Sequence, residues 1–201
     1  MVNKISQERW ESAQSGEIHY YEYNNEENYK NSALIILKDH FKINLENDFV
    51  GKKILESGGG CYPASYFCKG LKKAVNVEPL CNEFPDEIKS KLSVKNIECV
   101  STPFEDYKTR IKFDEVWFFN VLQHVKDPII QIENAKKIAN AIRVFEPIDT
   151  TTNNEHPHSF NIEFFKEHFA DTEVKMYKGG SVAKFHGANC AYLVWNKNIK
   201  K

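Results

Sequence analysis

A chain of 201 residues, 41% hydrophobic and 27% charged, is long enough for one domain with a real core and too short for two comfortable ones. Its formal net charge of -1 gives no electrostatic case for a nucleic-acid or membrane partner. No apolar stretch approaches the ~20 residues that span a bilayer, and the polar first 15 residues lack a signal-peptide core, so a cytoplasmic protein is expected. The five cysteines, Cys61, Cys68, Cys81, Cys99 and Cys190, form no Cys-x-x-Cys pair and are odd in number. They read as reduced, mostly buried thiols rather than a disulfide frame or a zinc site.

In chain order, Ser6 followed by Glu8 and Arg9 marks a helix start, and residues 5–24 carry Trp10, Ile18, Tyr20, Tyr21 and Tyr23 among acids. A second helix over 31–43 bears one stripe of Leu34, Ile35, Leu37 and Phe41. A short apolar run ending at Ile54 and Leu55 suits a buried strand, and Gly58, Gly59 and Gly60 follow at once, as a sharp turn with a close backbone approach requires. A helix over 64–71 and a strand over 74–77 come next, and that strand stops at Glu78. Strand, glycine turn, helix, strand and acid make the nucleotide-cradling half of a doubly wound sheet, with Glu78 placed to accept ribose hydroxyls. A polar helix over 81–92, interrupted by Pro85, leads to a strand over 97–100 and then to Thr102, Pro103 and Phe104. The clearest strand is 113–119, which ends in Asn120 and Val121, with Gln123 and His124 on the next turn. Further on come a helix over 129–138, a strand over 141–145 and a polar loop over 149–154. The sequence Glu155-His156-Pro157-His158 follows, then a helix over 161–169 capped by Asn161. Strands over 172–177 and 191–195 are joined through Gly179, Gly180 and a loop holding His186. The fold expected is α/β: a single Rossmann-like domain with a seven-stranded, mostly parallel sheet, a C-terminal antiparallel hairpin and helices on both faces. Residues 1–48 form a helical lead-in and 49–197 the main domain.

The glycine pattern selects the ligand. A dinucleotide site wants a third glycine where Pro63 stands, and Glu56 would repel a pyrophosphate. That carboxylate suits a ligand carrying positive charge. The stretch resembles motif I of the class I S-adenosylmethionine-dependent methyltransferases, acid-x-Gly-x-Gly-x-Gly. Glu56, Gly58 and Gly60 match it, and Tyr62 replaces the last glycine. The run Phe113-Asp114-Glu115-Val116, with Val121-Leu122-Gln123-His124-Val125 beyond it, resembles the fourth-strand motif of the same family. The resemblance implies S-adenosylmethionine as cofactor, with Glu56, Ser57, Gly58, Gly59 and Gly60 around its methionine end. It also implies Glu78 and Pro79 at the ribose, Thr102, Pro103 and Phe104 at the adenine, and Asn120 and Val121 beside them. The lead-in, Arg9-Trp10-Glu11-Ser12-Ala13-Gln14 with Glu17, resembles the aromatic segment of small methyltransferases found with glycan biosynthesis, where it folds over the cleft as a lid. An ordinary helix packed on the sheet is the alternative.

The implied function is methyl transfer to a small-molecule acceptor, in particular a sugar or glycan precursor. One of His124, His156 and His158 is expected to act as general base, because a neutral imidazole matches a hydroxyl acceptor. His156 and His158 also suggest a metal, but no third ligand lies nearby in sequence and class I methyl transfer usually needs none, so no metal is expected. Two other readings stay open. A binding module that keeps the fold without the chemistry is kept alive by Tyr62 and Thr102. A nucleotide-dependent oxidoreductase is opposed by Glu56, by Pro63 and by the lack of a Tyr-x-x-x-Lys pair.

Overall fold

A computed structural model describes residues 2, 4–23, 25–179 and 188–197; the loop holding His186 lies outside the described residues, as do the side chains of Tyr20, Tyr21 and Tyr23. Helices α1 (Gln7–Tyr23) and α2 (Glu26–Ala33) come first. Seven strands follow: β1 (Lys53–Ser57), β2 (Lys73–Val77), β3 (Ile97–Val100), β4 (Phe113–Phe119), β5 (Ala139–Ile148), β6 (Lys175–Tyr177) and β7 (Asn189–Asn196). Between them lie helices α3 (Asp86–Val94), α4 (Pro128–Ile138) and α5 (Ile162–His168). The sheet order is β3-β2-β1-β4-β5-β7-β6. Strands β1 to β5 pair in parallel, and β7 runs antiparallel to both β5 and β6. The order reverses between β1 and β4, so their carboxyl ends open a crevice at the switch point.

Strand period sorts the core into two layers. Ile54 and Trp117 pack with Ala33, Leu37 and Phe49 on one face. Leu55, Val116 and Phe118 pack with Ile132 and Ala135 of α4 and with Phe164 and Phe165 of α5 on the other. Glu115 is a buried charge inside β4, and it is fully paired. Arg143 donates to it through Nε at 2.6 Å and Nη2 at 3.0 Å, and Trp117 Nε1 donates at 2.8 Å. A buried carboxylate with that many partners avoids the desolvation cost that an isolated one would carry.

Several local expectations are corrected. The second helix starts earlier, where Asn25 caps α2 by accepting from the Asn28 N–H at 3.1 Å, and it continues as a π-helix over Leu34–His40. The helix expected over 64–71 shrinks to one 3-10 turn, Ala64–Phe67. The helix expected over 81–92 breaks at Pro85 into a 3-10 turn, Pro79–Glu83, and α3. The cysteines are not all free thiols: Cys81 and Cys99 form a disulfide, while Cys61, Cys68 and Cys190 are free and buried. Parallel pairing of β2 with β3 brings the bridged pair together across 18 positions, a proximity no local spacing reveals. Among the described residues no helix is long and apolar enough to cross a membrane.

Candidate functional site

A cavity of about 650 Å³ opens at the carboxyl ends of β1, β2 and β4 and is roofed by α1 and α2. Its floor is the glycine turn. Gly58 and Gly60 have φ of +64° and +62°, a region that side-chain-bearing residues rarely adopt. A Cβ on Gly58 would stand 2.2 Å from Val121 Cγ2, so the turn and the segment after β4 touch through this glycine and any side chain there would have to displace Val121.

The N–H groups of all three glycines have partners, Gly58 donating to the Val77 carbonyl at 2.9 Å. Asn76, fully buried in β2, accepts from the Gly59 N–H at 3.1 Å and donates to the Gly60 carbonyl at 2.9 Å. Glu78 accepts from the Gly60 N–H at 3.3 Å and the Leu80 N–H at 3.1 Å. Glu56 accepts from the Ala64 and Ser65 N–H groups at 2.8 and 3.0 Å. Burial pushes the Glu56 carboxyl up despite those two donors. It borders the cavity, yet both its oxygens serve the backbone of the following turn, so it holds the loop in shape rather than standing open to a cationic ligand.

Of the residues expected at a cofactor, Glu56, Ser57, Gly58, Gly59, Gly60, Glu78, Pro79, Pro103, Phe104, Asn120 and Val121 line the cavity. Thr102 does not; its N–H turns back to the Val100 carbonyl at 3.0 Å. Tyr62, in place of the last glycine, is buried against Tyr29 and Tyr66 with ring centroids 5.7 and 5.4 Å away, and its hydroxyl lies 3.3 Å from Lys91 Nζ. Sequence reasoning missed a buried polar relay on the wall. Ser57 Oγ donates to Gln131 at 3.2 Å, Gln131 donates to Glu105 at 2.8 Å, and Glu105 accepts from the N–H groups of Lys126 and Asp127. A polar residue on the apolar stripe of α4 was the only available signal for Gln131. Asn76, inside an otherwise apolar strand, was the signal for its own role.

The opposite wall is built by α1, the Leu122–His124 turn and residues 149–161. The His124 and His156 rings meet edge to face at 4.6 Å, and both line the cavity. His124 Nδ1 is 3.1 Å from Glu17 Oε1 and 3.2 Å from the Glu155 carbonyl. Burial alone would lower the His124 pKa; the Glu17 hydrogen bond and charge, with Glu146 and the Glu155 carbonyl, raise it overall. Glu17, whose burial opposes ionisation, is held low by His124 and His156. The third expected base, His158, is not at the cavity. It is buried, its Nε2 donates to the Val125 carbonyl at 2.8 Å, and burial lowers its pKa. A proline between His156 and His158 turns one ring to the cleft and the other to the core. The third ligand missing from the local sequence exists in space: ligand atoms of Glu17, His124 and His156 lie within 4.8 Å of one another.

No protein-family model matches the chain, and neither does any curated protein. Solved structures do match. The N-methyltransferase NodS from Bradyrhizobium japonicum WM9, in complex with S-adenosyl-L-homocysteine, aligns over 93% of this chain and 98% of that one, with TM-score 0.62 and 14% identity. The 1,6-didemethyltoxoflavin-N1-methyltransferase of Burkholderia thailandensis, with its substrate and S-adenosylhomocysteine bound, aligns over 98% and 92%, with TM-score 0.63 and 12% identity. The strand order, the terminal hairpin and these alignments together establish that the chain has the fold of the class I S-adenosylmethionine-dependent methyltransferases.

Proposed function

We propose that the protein transfers the methyl group of S-adenosylmethionine to a small-molecule acceptor that enters between α1, His124 and His156. One observation carries this reading: a single cavity has the glycine turn and Glu78 at one end and an imidazole pair at the other. The first end suits an adenosyl ligand without a phosphate, since the Glu78 carboxylate borders the cavity beside the glycine turn and, among the described residues, no Lys or Arg lines that end. NodS and the toxoflavin methyltransferase hold S-adenosylhomocysteine on this same fold, which supports S-adenosylmethionine as the cofactor here. Because the displacement occurs at a sulfonium methyl, positioning and exclusion of water are the protein's main tasks.

A small acceptor fits the remaining volume, and the polar wall of Gln14, Glu17, His124 and His156 favours one rich in hydroxyls or amines, such as a sugar or glycan precursor. With a net charge of -1 the chain is not fitted to RNA or DNA. Helix α1 acts as a lid over residues 49–197 in this reading, and the Asn120–His124 segment faces the transferred methyl. The reading places the protein in the cytoplasm, where the Cys81–Cys99 bridge is open to reduction. Calorimetry tests it directly. S-adenosylhomocysteine and S-adenosylmethionine should bind one to one and NAD should not. Binding of NAD in their place would overturn the assignment. A screen of sugars and nucleotide sugars for methyl uptake then separates an enzyme from a module that only binds the cofactor.

A further inference from the structure

We infer that Glu17, on the roof helix α1, is the positioning residue for His124, so that the catalytic base is assembled only when α1 is seated. This rests on the methyl-transfer reading and extends it. Glu17 reaches His124 from a helix 107 positions upstream, with Oε1 3.1 Å from Nδ1, and the Glu155 carbonyl stands 3.2 Å from the same nitrogen. Two acceptors on Nδ1 place its proton there. Nε2 is then the lone-pair nitrogen, and the side-chain amide nitrogen of Gln123 faces it at 3.4 Å. A ring held through one nitrogen by a carboxylate, with the other turned to the reacting group, is the logic of an oriented base.

His156 is excluded from that role by its tautomer. Asn153 Oδ1 accepts from the Glu155 and His156 N–H groups at 2.9 and 2.7 Å, which fixes the amide orientation. Its Nδ2 then donates to His156 Nδ1 at 3.1 Å, so the ring proton of neutral His156 sits on Nε2. His124 and His156 thus divide the work, one as base and one as donor. At the Glu17, His124, His156 cluster the His156 tautomer disfavours a metal, since its Nδ1 lone pair accepts from Asn153 and its Nε2 carries the proton. The charged and titratable groups facing His124 are Glu17 from α1, Glu146 from β5, and His156 and His158 from residues 149–161.

In the step itself an acceptor hydroxyl displaces the Gln123 amide from Nε2. Its oxygen forms the bond to the methyl carbon, and the carbon–sulfur bond breaks with its electron pair kept on sulfur. The sulfonium becomes the neutral thioether of S-adenosylhomocysteine, and the acceptor proton passes to His124 Nε2. The resulting imidazolium is stabilised by Glu17.

The test reads the ring first and turnover second. Imidazole resonances of His124, assigned with His124→Gln, should titrate at higher pH in the parent than in Glu17→Gln, with Glu17→Asp in between. This needs no acceptor and no activity, so it stands even where the methyl-transfer reading fails. With an acceptor in hand, Glu17→Gln should lower kcat about 10-fold or more and leave KM and S-adenosylhomocysteine affinity nearly unchanged. The acid limb of its pH profile should move to lower pH. An unchanged His124 titration in Glu17→Gln overturns the inference, as does stoichiometric Co²⁺ binding at this cluster with metal-dependent turnover. Failure of S-adenosylhomocysteine to bind the parent sinks the methyl-transfer reading alone.

Discussion

The two ends of the cavity are built by opposite means. At the glycine end the contacts stay within β1, β2 and the turns that follow them, and backbone groups meet buried side chains: Asn76, Glu78 and Glu56 take up the N–H groups of Gly59, Gly60, Ala64 and Ser65. At the histidine end the contacts join three segments far apart in the chain, and side chains or exposed loop carbonyls make them. Arg9 donates to the carbonyls of Asn153 and Asn154, Lys126 to Gln7, and Glu17 meets His124. Buried backbone hydrogen bonds are costly to break, whereas partly solvated side-chain pairs are cheap. The glycine end is therefore a fixed receptor, and the histidine end is a joint that can open to admit and release ligands.

The largest effect is expected from breaking the rigid end. Gly58→Ala places a methyl 2.2 Å from Val121 Cγ2 at a φ of +64°. The left-handed backbone costs about 1–2 kcal/mol and the overpacking about 1–3 kcal/mol more. Thermal unfolding should register both, and calorimetry should show S-adenosylhomocysteine binding lost. Adding Val121→Ala removes the clash and should recover the packing part while leaving the backbone part. A single variant as stable as the parent, with normal binding, would show that the turn is softer than this geometry allows.

A middle-sized effect probes the seam between the two ends. Glu146 Oε1 accepts from the Val121 and Leu122 N–H groups at 2.8 and 3.1 Å, while Oε2 has no hydrogen-bond partner among the described residues. Burial pushes its carboxyl from 4.5 up to about 7, against those two donors and His124. An acid raised on folding stays protonated in the native state while the unfolded chain ionises. The parent should therefore lose stability as pH rises from about 4.5 to about 7 and then level off. That gap converts to roughly 3 kcal/mol at about 1.4 kcal/mol per pH unit. Glu146→Gln keeps the acceptor oxygen and removes the ionisation, so its advantage over the parent should grow from pH 5 to pH 8 in denaturant unfolding. Parallel stability curves across that range would mean that Glu146 is ionised in the fold at no cost.

The smallest effect on stability, with a clear effect on motion, belongs to Arg9→Ala. Removing the clasp to Asn153 and Asn154 should change global stability by only about 0.5 kcal/mol, as is usual near a surface. Hydrogen exchange of residues 7–18 should nonetheless accelerate, and added S-adenosylhomocysteine should slow it again. Exchange that is the same in the parent and the variant would make α1 a fixed layer rather than a lid.

Much of the rigid end was legible in the linear chain, because its determinants are local. Gly58 and Gly60 announce left-handed turns, Glu78 sits where a strand must stop, and the Phe113–Phe119 run is apolar enough to be central. These features impose their geometry through backbone sterics and alternation, which act over a few residues. The mostly parallel sheet with its antiparallel end was expected from the motifs and their family resemblance, whereas the order β3-β2-β1-β4-β5-β7-β6 came from the structure. What tertiary structure alone decided depends on who stands opposite whom. Parallel pairing of β2 with β3 put Cys81 beside Cys99, where spacing suggested separate thiols. The Glu56 carboxylate was recruited by the backbone N–H groups after Pro63. His156 was turned to the cavity and His158 to the Val125 carbonyl, although in sequence the two were equivalent. Glu17 gained a partner 107 positions away. Composition and periodicity determined the layers, because burying apolar stripes leaves few arrangements. The pairing of polar side chains across those layers was left to the packed fold, because a hydrogen bond depends on distances that only the assembled chain defines.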